Sequence, residues 1–300
     1  MVAPTPLELA PPELAPGRCV FLKREDVHEL GAFKWRGAVP ALERYRQDGV
    51  AGVVTASTGN HAAATAWAAD RLGLRAVVYV PRGASSSKLA RLDRLGADVR
   101  LGEGDFDQTK DEARTSAAAE GLPFFEDGAE PAQLEGYAAI GEEILAQAPE
   151  PPAAVVVPVG NGALLAGIGR AVGGQALRVG VVPKEAPVMA RSWKAGRAVE
   201  CDRCATFADG LGVRVAIPLA VDWLREYADR MLQVSERAMA EAVAAFGAVG
   251  IRAEGAAAAA LASLVQLADI QGSVVLVVTG CNIDDELLER CRQDADSFPD

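Results

Sequence analysis

From about residue 50 onward, short β-rich runs alternate with helical stretches, the pattern of a parallel sheet covered on both faces by helices. Strands read over residues 52–56, 75–80 and 97–101, separated by helices over 60–72 and 86–95, and together these make a compact subdomain. Residues 105–120 and 131–147 read as helices. A second series starts near residue 150, with a strand over 153–159, a glycine-containing turn, a helix over 163–172 and a strand over 177–182. Helices over 235–246 and 254–267, a strand over 273–278 and a helix over 284–291 close the chain. Between 184 and 230, Pro187, Pro218, Gly196, Gly210 and Gly212 interrupt any long period, so irregular structure is expected there. The Ala-rich run Ala256 to Ala260 reads as a buried helix, because alanine is the best helix former and packs closely. The class is α/β, and 300 residues at 50% hydrophobic content suffice for two modest domains or one large one.

Charge and composition narrow the partners. Thirty Lys+Arg against 41 Asp+Glu leave a net charge of -11, the wrong sign for gripping nucleic acid phosphates. The N-terminal residues carry no basic region followed by an apolar core, and no apolar run approaches the ~20 residues of a membrane span. A cytoplasmic protein with no nucleic-acid and no membrane partner is therefore expected. Five cysteines, Cys19, Cys201, Cys204, Cys281 and Cys291, are odd in number and sparse, so reduced thiols are the default. The two histidines, His28 and His61, are too few for a His-rich metal centre.

Four segments can carry chemistry. Lys34 stands between Phe33 and Trp35, with Gly31 and Gly37 relaxing the backbone on either side. Desolvation between aromatic rings would lower its pKa and free the amine to bond an aldehyde, although a lysine in such company can also lay its stem on apolar surface with the ammonium in water. Residues Ser57-Thr58-Gly59-Asn60-His61 follow a strand and open a helix. There, unpaired backbone N–H groups and hydroxyls form a site for a carboxylate or phosphate, or simply an N-cap. Gly160-Asn161-Gly162-Ala163-Leu164 lie in another strand-to-helix turn, where glycines let backbone N–H groups approach phosphate oxygens, or merely make the turn. The turn lacks the acid that a dinucleotide ribose needs, and no Walker lysine follows, so a mononucleotide-sized phosphate fits it better than NAD or ATP. Thr279-Gly280-Cys281-Asn282 ends an apolar strand, where open α/β sheets bind ligands and where plain turns also occur.

In this order and spacing the segments resemble the pyridoxal-phosphate enzymes of the tryptophan synthase β-subunit fold (fold type II), and within it the threonine/serine dehydratase and serine racemase branch. The resemblance runs from Thr5 to Asp284 and is carried by Lys23-Arg-Glu-Asp joined to Phe33-Lys34-Trp-Arg-Gly-Ala, by Ser57-Thr-Gly-Asn-His61, Val157-Pro-Val-Gly160, Ala208-Asp-Gly210 and Thr279-Gly-Cys-Asn-Ile-Asp284. It implies two doubly wound parallel-sheet domains with the cofactor in the cleft between them: a large domain of residues 1–51 plus 131–300 and a small inserted domain of residues 52–130. It implies that Lys34 binds pyridoxal 5'-phosphate as a Schiff base and shuttles the substrate Cα proton, that Phe33 packs on the ring and that Asn60 bonds its phenolic oxygen. The N–H groups of Gly160, Asn161, Gly162, Ala163 and Leu164 would cradle the phosphate, and Thr279 would face the pyridine nitrogen. Ser57, Thr58, Asn60 and His61 would take the substrate carboxylate.

The implied activity is elimination of the β-hydroxyl of a small amino acid, threonine or serine first, to a 2-oxo acid and ammonia. A β- or γ-replacement synthase like threonine synthase and an amino acid racemase are the alternatives, with a non-enzymatic α/β binding module behind them. Departures bear on these. Ala32 replaces the usual serine, and Thr58 stands where racemases offer a serine acid. Asn161 and Ala163 stand where relatives have glycine. Val182 and Val188 occupy the positions from which some relatives bind a divalent cation, so no metal site is expected. About a helix remains after Asp284, so feedback by isoleucine through a C-terminal regulatory domain is not expected. Cys201-Asp-Arg-Cys204 is read as an incidental loop pair or a weak metal contact without function. A homodimer is expected by family analogy.

Overall fold

The structure is a computed structural model that describes residues 3–300. In chain order its elements are β1 (Leu7–Leu9), β2 (Val20–Arg24), α1 (Trp35–Gln47), β3 (Gly52–Ala56), α2 (Asn60–Leu72), β4 (Arg75–Pro81), α3 (Ser86–Arg94), β5 (Asp98–Gly102), α4 (Phe106–Glu120) and α5 (Pro131–Gln147). They continue with β6 (Ala154–Pro158), α6 (Ala163–Val172), β7 (Leu177–Pro183), α7 (Val188–Ala195), α8 (Pro218–Tyr227), β8 (Arg230–Val234), α9 (Glu236–Ala248), α10 (Gly255–Ala262), β9 (Val274–Val278) and α11 (Asp285–Gln293). Two compact units result, one from the residues up to Phe33 and from Tyr137 onward, the other from Lys34–Gly136. The sequence reading drew its boundaries at 51/52 and 130/131. Residues 34–51 belong instead with the second unit because α1 packs on α2, Trp35 and Trp67 meeting edge to face at 6.3 Å.

The first unit holds a six-stranded sheet in the order β1-β2-β9-β6-β7-β8, with β1 antiparallel to β2 and every other pair parallel. The central strands β6 and β9, AVVVP and VVLVV, are apolar and buried throughout, as a parallel sheet with both faces covered requires. Successive residues of β9 point to opposite cores. Val274, Leu276 and Val278 meet residues of α9 and α10 such as Val243 and Ala257, whereas Val275 and Val277 join Ile144 of α5, Leu165 of α6 and Val221 of α8. The edge strand β8, RMLQV, is only partly buried up to its last residue and carries Arg230 and Gln233, in keeping with a strand that has a partner on one side only.

The second unit holds the parallel sheet β3-β4-β5, with Val54 and Val77 packed against Ala113 and Ala117 of α4 and Val78 and Val80 against Ala62 of α2 and Leu92 of α3. Beyond α4, residues 123–125 run alongside β3: the Val54 N–H donates to Pro123 O and the Phe125 N–H donates to Val54 O, at 3.0 and 2.8 Å. This extra run delivers the following residues, Glu126 and Asp127, to the end of β3. Helix starts are marked chemically. Asp105 and Gln108 form a capping box at α4, and the Ser85 and Ser235 hydroxyls accept from the third N–H of α3 and α9.

The stretch 184–230, expected to be irregular, contains α7, α8 and the start of β8. Its breakers mark helix ends rather than their absence. Gly196 closes α7 in the left-handed conformation at φ 69°, and Pro218 opens α8 at its first turn, where no N–H is needed. The helix expected over 254–267 ends at Ala262 and continues only as a tighter 3₁₀ turn.

Candidate active site

In the first unit, the segment ahead of the lysine is stitched to the end of β9. The Phe33 N–H donates to Thr279 O at 3.1 Å, the Cys281 N–H to Gly31 O at 2.8 Å and Asn282 Nδ2 to Leu30 O at 2.9 Å. Gly31 makes this joint possible: its φ is +60°, and a Cβ there would sit 2.8 Å from Cys281 Sγ. The Glu254 N–H, just ahead of α10, donates to Gly280 O at 3.0 Å, so three chain segments converge on the turn after β9. Within it the Thr279 hydroxyl is buried and has no hydrogen-bond partner among the described residues. An unpartnered buried hydroxyl costs about 1–3 kcal/mol, a cost recovered when a ligand supplies the missing partner. Phe33, also buried, stacks obliquely on Tyr137 at 5.2 Å.

The turn between β6 and α6 opens the helix with Gly162 at φ +102°, a conformation that only glycine adopts freely. No residue other than glycine has a positive φ among the described residues, so Asn161 and Ala163 sit in the turn without backbone strain. Gly160 needs its hydrogen, since a Cβ would lie 2.4 Å from Gly210 O. Of the five N–H groups expected to face a phosphate, that of Ala163 donates to Asn161 Oδ1 at 3.0 Å. Asn161 therefore serves the loop as a turn-former. The remaining N–H groups gather at the positive end of α6, where an anion is favoured.

In the second unit, Lys34 lies at the start of α1 and its Nζ is 2.5 Å from Asp127 Oδ2. Ser57 to Asn60 form the partly exposed turn into α2, whose first residue is Asn60. Ser57 Oγ accepts from the Gly59 N–H at 3.2 Å, and no side chain caps the helix itself. That leaves the start of α2 suited to a carboxylate. His61 is the second residue of α2. Its ring is buried, stacked at 4.7 Å on Phe125, with Nε2 3.1 Å from Thr55 Oγ1 and 3.3 Å from Phe125 O. Thr55 Oγ1 already donates to Phe125 O at 2.8 Å, so the ring proton sits on Nε2 and donates to these oxygens. What His61 can offer an anion at the helix start is its backbone N–H, not its imidazole. Burial holds its pKa below the ordinary histidine value, opposed by the nearby Asp127 carboxylate, so the ring is neutral.

Asp127 was not legible beforehand. It follows a 123–125 run whose strand-like pairing shows only in three dimensions, and an Asp before a Gly signals locally nothing more than a turn.

An α/β protein with this pair of units, a lysine at a helix start, a glycine-shaped turn at the positive end of a second helix and a buried hydroxyl awaiting a partner, has the parts of a phosphorylated-aldehyde enzyme. The chain belongs to the pyridoxal-phosphate dependent enzyme family, which matches over residues 1–280. It is 33% identical over 277 residues to the L-threonine ammonia-lyase of Thermotoga maritima, covering 90% of this chain and 69% of that one. The processed form of threonine deaminase isoform 2 from Solanum lycopersicum superposes with a TM-score of 0.92 at 28% identity, covering 99% of this chain and 89% of that one. Maize serine racemase superposes with a TM-score of 0.88 at 25% identity, covering 96% and 91%. Its fold is that of the fold type II enzymes, and its cofactor is pyridoxal 5'-phosphate. The Thr279 hydroxyl and the cradle at Gly160 and Gly162 fit a pyridine nitrogen and a phosphate respectively.

Proposed function

We propose that this protein is an amino acid ammonia-lyase that removes the β-hydroxyl of threonine or serine and releases a 2-oxo acid and ammonia. Bound pyridoxal phosphate would supply the electrophilic aldehyde and the electron-withdrawing ring. The chain's residues would do the rest. Lys34 Nζ would carry the cofactor and, when released, hold the proton taken from the substrate Cα. The turn Ser57 to Asn60 and the backbone N–H of His61 would orient the substrate carboxylate at the positive end of α2. Gly160, Asn161, Gly162 and Leu164 would hold the phosphate, Phe33 would pack on the ring and Asn60 would bond its phenolic oxygen.

The observation that carries the reading is the Thr279 hydroxyl, buried and short of a partner where the ring nitrogen would lie. A neutral hydroxyl cannot hold a full pyridinium charge as a carboxylate would, so charge is poorly stored on the ring and prompt loss of a β-substituent is favoured over transamination. The similarity to threonine ammonia-lyase supports the same reading. A racemase reading would draw on the partly exposed Thr58 hydroxyl.

The test is a panel of L-serine, L-threonine and O-phosphohomoserine assayed for 2-oxo acid, ammonia, phosphate and D-amino acid. Equal yields of 2-oxo acid and ammonia from the first two are expected. Phosphate release with threonine formation would assign a replacement synthase instead, and D-serine without ammonia a racemase. Borohydride reduction should leave a pyridoxyl label on Lys34, and Lys34→Ala should lose both label and activity. We further propose a cytoplasmic homodimer. No helix among the described residues is long and apolar enough to cross a membrane, and light scattering at twice the chain mass of 31.2 kDa would establish the dimer.

A further inference from the structure

We propose that Glu236 is a positioning residue for the cofactor phosphate, acting by holding the segment Thr206 to Leu211 against the turn at Gly160. This rests on the reading of that turn as the phosphate cradle. Glu236 is the first residue of α9 and only 2% exposed. Its Oε2 accepts the Phe207 N–H at 2.9 Å and the Thr206 hydroxyl at 3.1 Å. The same hydroxyl accepts the Ala208 N–H at 3.1 Å, so one carboxylate oxygen fixes three consecutive residues, the last through a relay. The other oxygen, Oε1, is buried without a hydrogen-bond partner among the described residues. Burial pushes the carboxyl above its ordinary value, the bonds from Phe207 and Thr206 oppose it, and the charge of Glu185 adds to the push. An acid that merely serves the positive end of a helix does so from the surface and needs no such burial. Enclosing a carboxyl with half its acceptor capacity unused is unfavourable, and the placement of residues 206–208 is what offsets it.

That placement reaches the turn by contact. Beyond Ala208 the chain folds into a 3₁₀ turn, Asp209–Leu211, closed by the Leu211 N–H donating to Ala208 O at 2.8 Å. Gly210 O then lies so near Gly160 that a Cβ on Gly160 would be 2.4 Å from it. The segment is also backed by the start of α10. A Cβ on Gly255 would stand 2.5 Å from the Phe207 ring, and one on Gly210 would stand 3.2 Å from the Ala256 Cβ. With glycine at each of these contacts the packing has no slack, and a displacement of residues 206–208 is felt at Gly160. It would alter the aim of the N–H groups facing the phosphate and leave the amine of Lys34 chemically unchanged.

The prediction is therefore a split between pyridoxal 5'-phosphate and pyridoxal, which share the aldehyde and ring and differ in the phosphate. Each is titrated into the cofactor-free full-length chain and followed by the change in its visible absorbance on bonding Lys34. Glu236→Ala should bind pyridoxal 5'-phosphate about tenfold more weakly than wild type, while its affinity for pyridoxal stays within about threefold. Glu236→Gln keeps an acceptor oxygen for Phe207 and Thr206 and should recover most of the lost affinity. Should Glu236→Ala fail to fold, Thr206→Val removes the relay hydroxyl alone, and a loss of about threefold confined to the phosphorylated form is expected. Equal weakening of both compounds in the folded variants would overturn the proposal, because Glu236 would then serve the fold as a whole. Unchanged affinity for both, or a Glu236→Gln protein as weak as Glu236→Ala, would overturn it as well. The wild type separates this outcome from failure of the reading beneath it. If it prefers the phosphorylated form and takes the borohydride label at Lys34 while the variants show no split, only the role of Glu236 falls. If it binds the two compounds equally, the phosphate cradle falls and the proposal with it.

Discussion

Thr279 shows how a single residue can be read as incomplete. The interior of a parallel sheet's end is a poor place for a hydroxyl, and this one has gained no compensating bond among the described residues. Valine has nearly the same shape without the polar atom, so removing the hydroxyl separates cost from use. In the protein without cofactor, Thr279→Val should melt at the same temperature as wild type or higher, because an unsatisfied donor has been removed. With cofactor, the same variant should bind pyridoxal phosphate about tenfold more weakly, the worth of one hydrogen bond, and Thr279→Ser should keep most of the affinity. Thermal melts and fluorescence titrations of both variants check the two halves together. A Thr279→Val protein that loses stability in the cofactor-free state would show that the hydroxyl serves the fold instead.

At the scale of elements, the motif Thr279-Gly280-Cys281-Asn282 proves to be a joint as much as a binding turn. Gly31, thirty-odd positions from the N-terminus, faces Cys281 and Asn282 across it, and the segment Leu30 to Phe33 is fixed by backbone and amide bonds to that turn. Gly31→Ala would both force an L-residue to φ +60° and press a methyl against Cys281 Sγ at 2.8 Å. A loss of about 1–3 kcal/mol in urea unfolding is expected, with weakened cofactor binding because Phe33 and Thr279 are positioned by the same bonds. Urea curves that match wild type would refute the strain argument. The sequence made most of the sheet legible, since β6, β9, β3 and β4 (AVVVP, VVLVV, GVVTA and RAVVYVP) are short Val-rich runs, the pattern of strands in a covered parallel sheet. It hid α7 and α8 because Gly196 and Pro218 look like interruptions until their places at a C-terminus and a first turn are known. It also hid α1, which carries Pro40 in its interior, and the short edge strand β1, whose LEL has too few residues for a period. The candidate site divides the same way: Lys34, the Ser57 turn, the Gly160 turn and Thr279 each stand in a local pattern, whereas Asp127 meets Lys34 across 93 residues of chain and no local pattern announces it.

For the whole molecule, the division into two units is itself a physical statement about cores. The unit Lys34–Gly136 fills both faces of its own three-stranded sheet, Val54 and Val77 against α4 on one side and Val78 and Val80 against α2 and α3 on the other. Gly136 at its C-terminal limit lies against the Arg36 carbonyl, a contact that any Cβ would forbid, so the two ends of the unit are in contact. A segment of about 100 residues with its own two-sided core and apposed ends has what independent folding requires. Residues 34–136 expressed alone should therefore unfold in one cooperative transition, with a urea dependence of about 1 kcal/mol/M. The tryptophans allow the same question to be put to the intact chain. Trp35 and Trp67 lie in this unit and Trp193 and Trp223 in the other, so a Trp193→Phe, Trp223→Phe variant reports on the smaller unit only. Its emission should change at the urea concentration at which the isolated segment unfolds, or above it where the rest of the chain adds support. A segment that shows no transition, while the full chain unfolds cooperatively by the same emission, would mean that the core of residues 34–136 is sufficient in pattern and insufficient in energy.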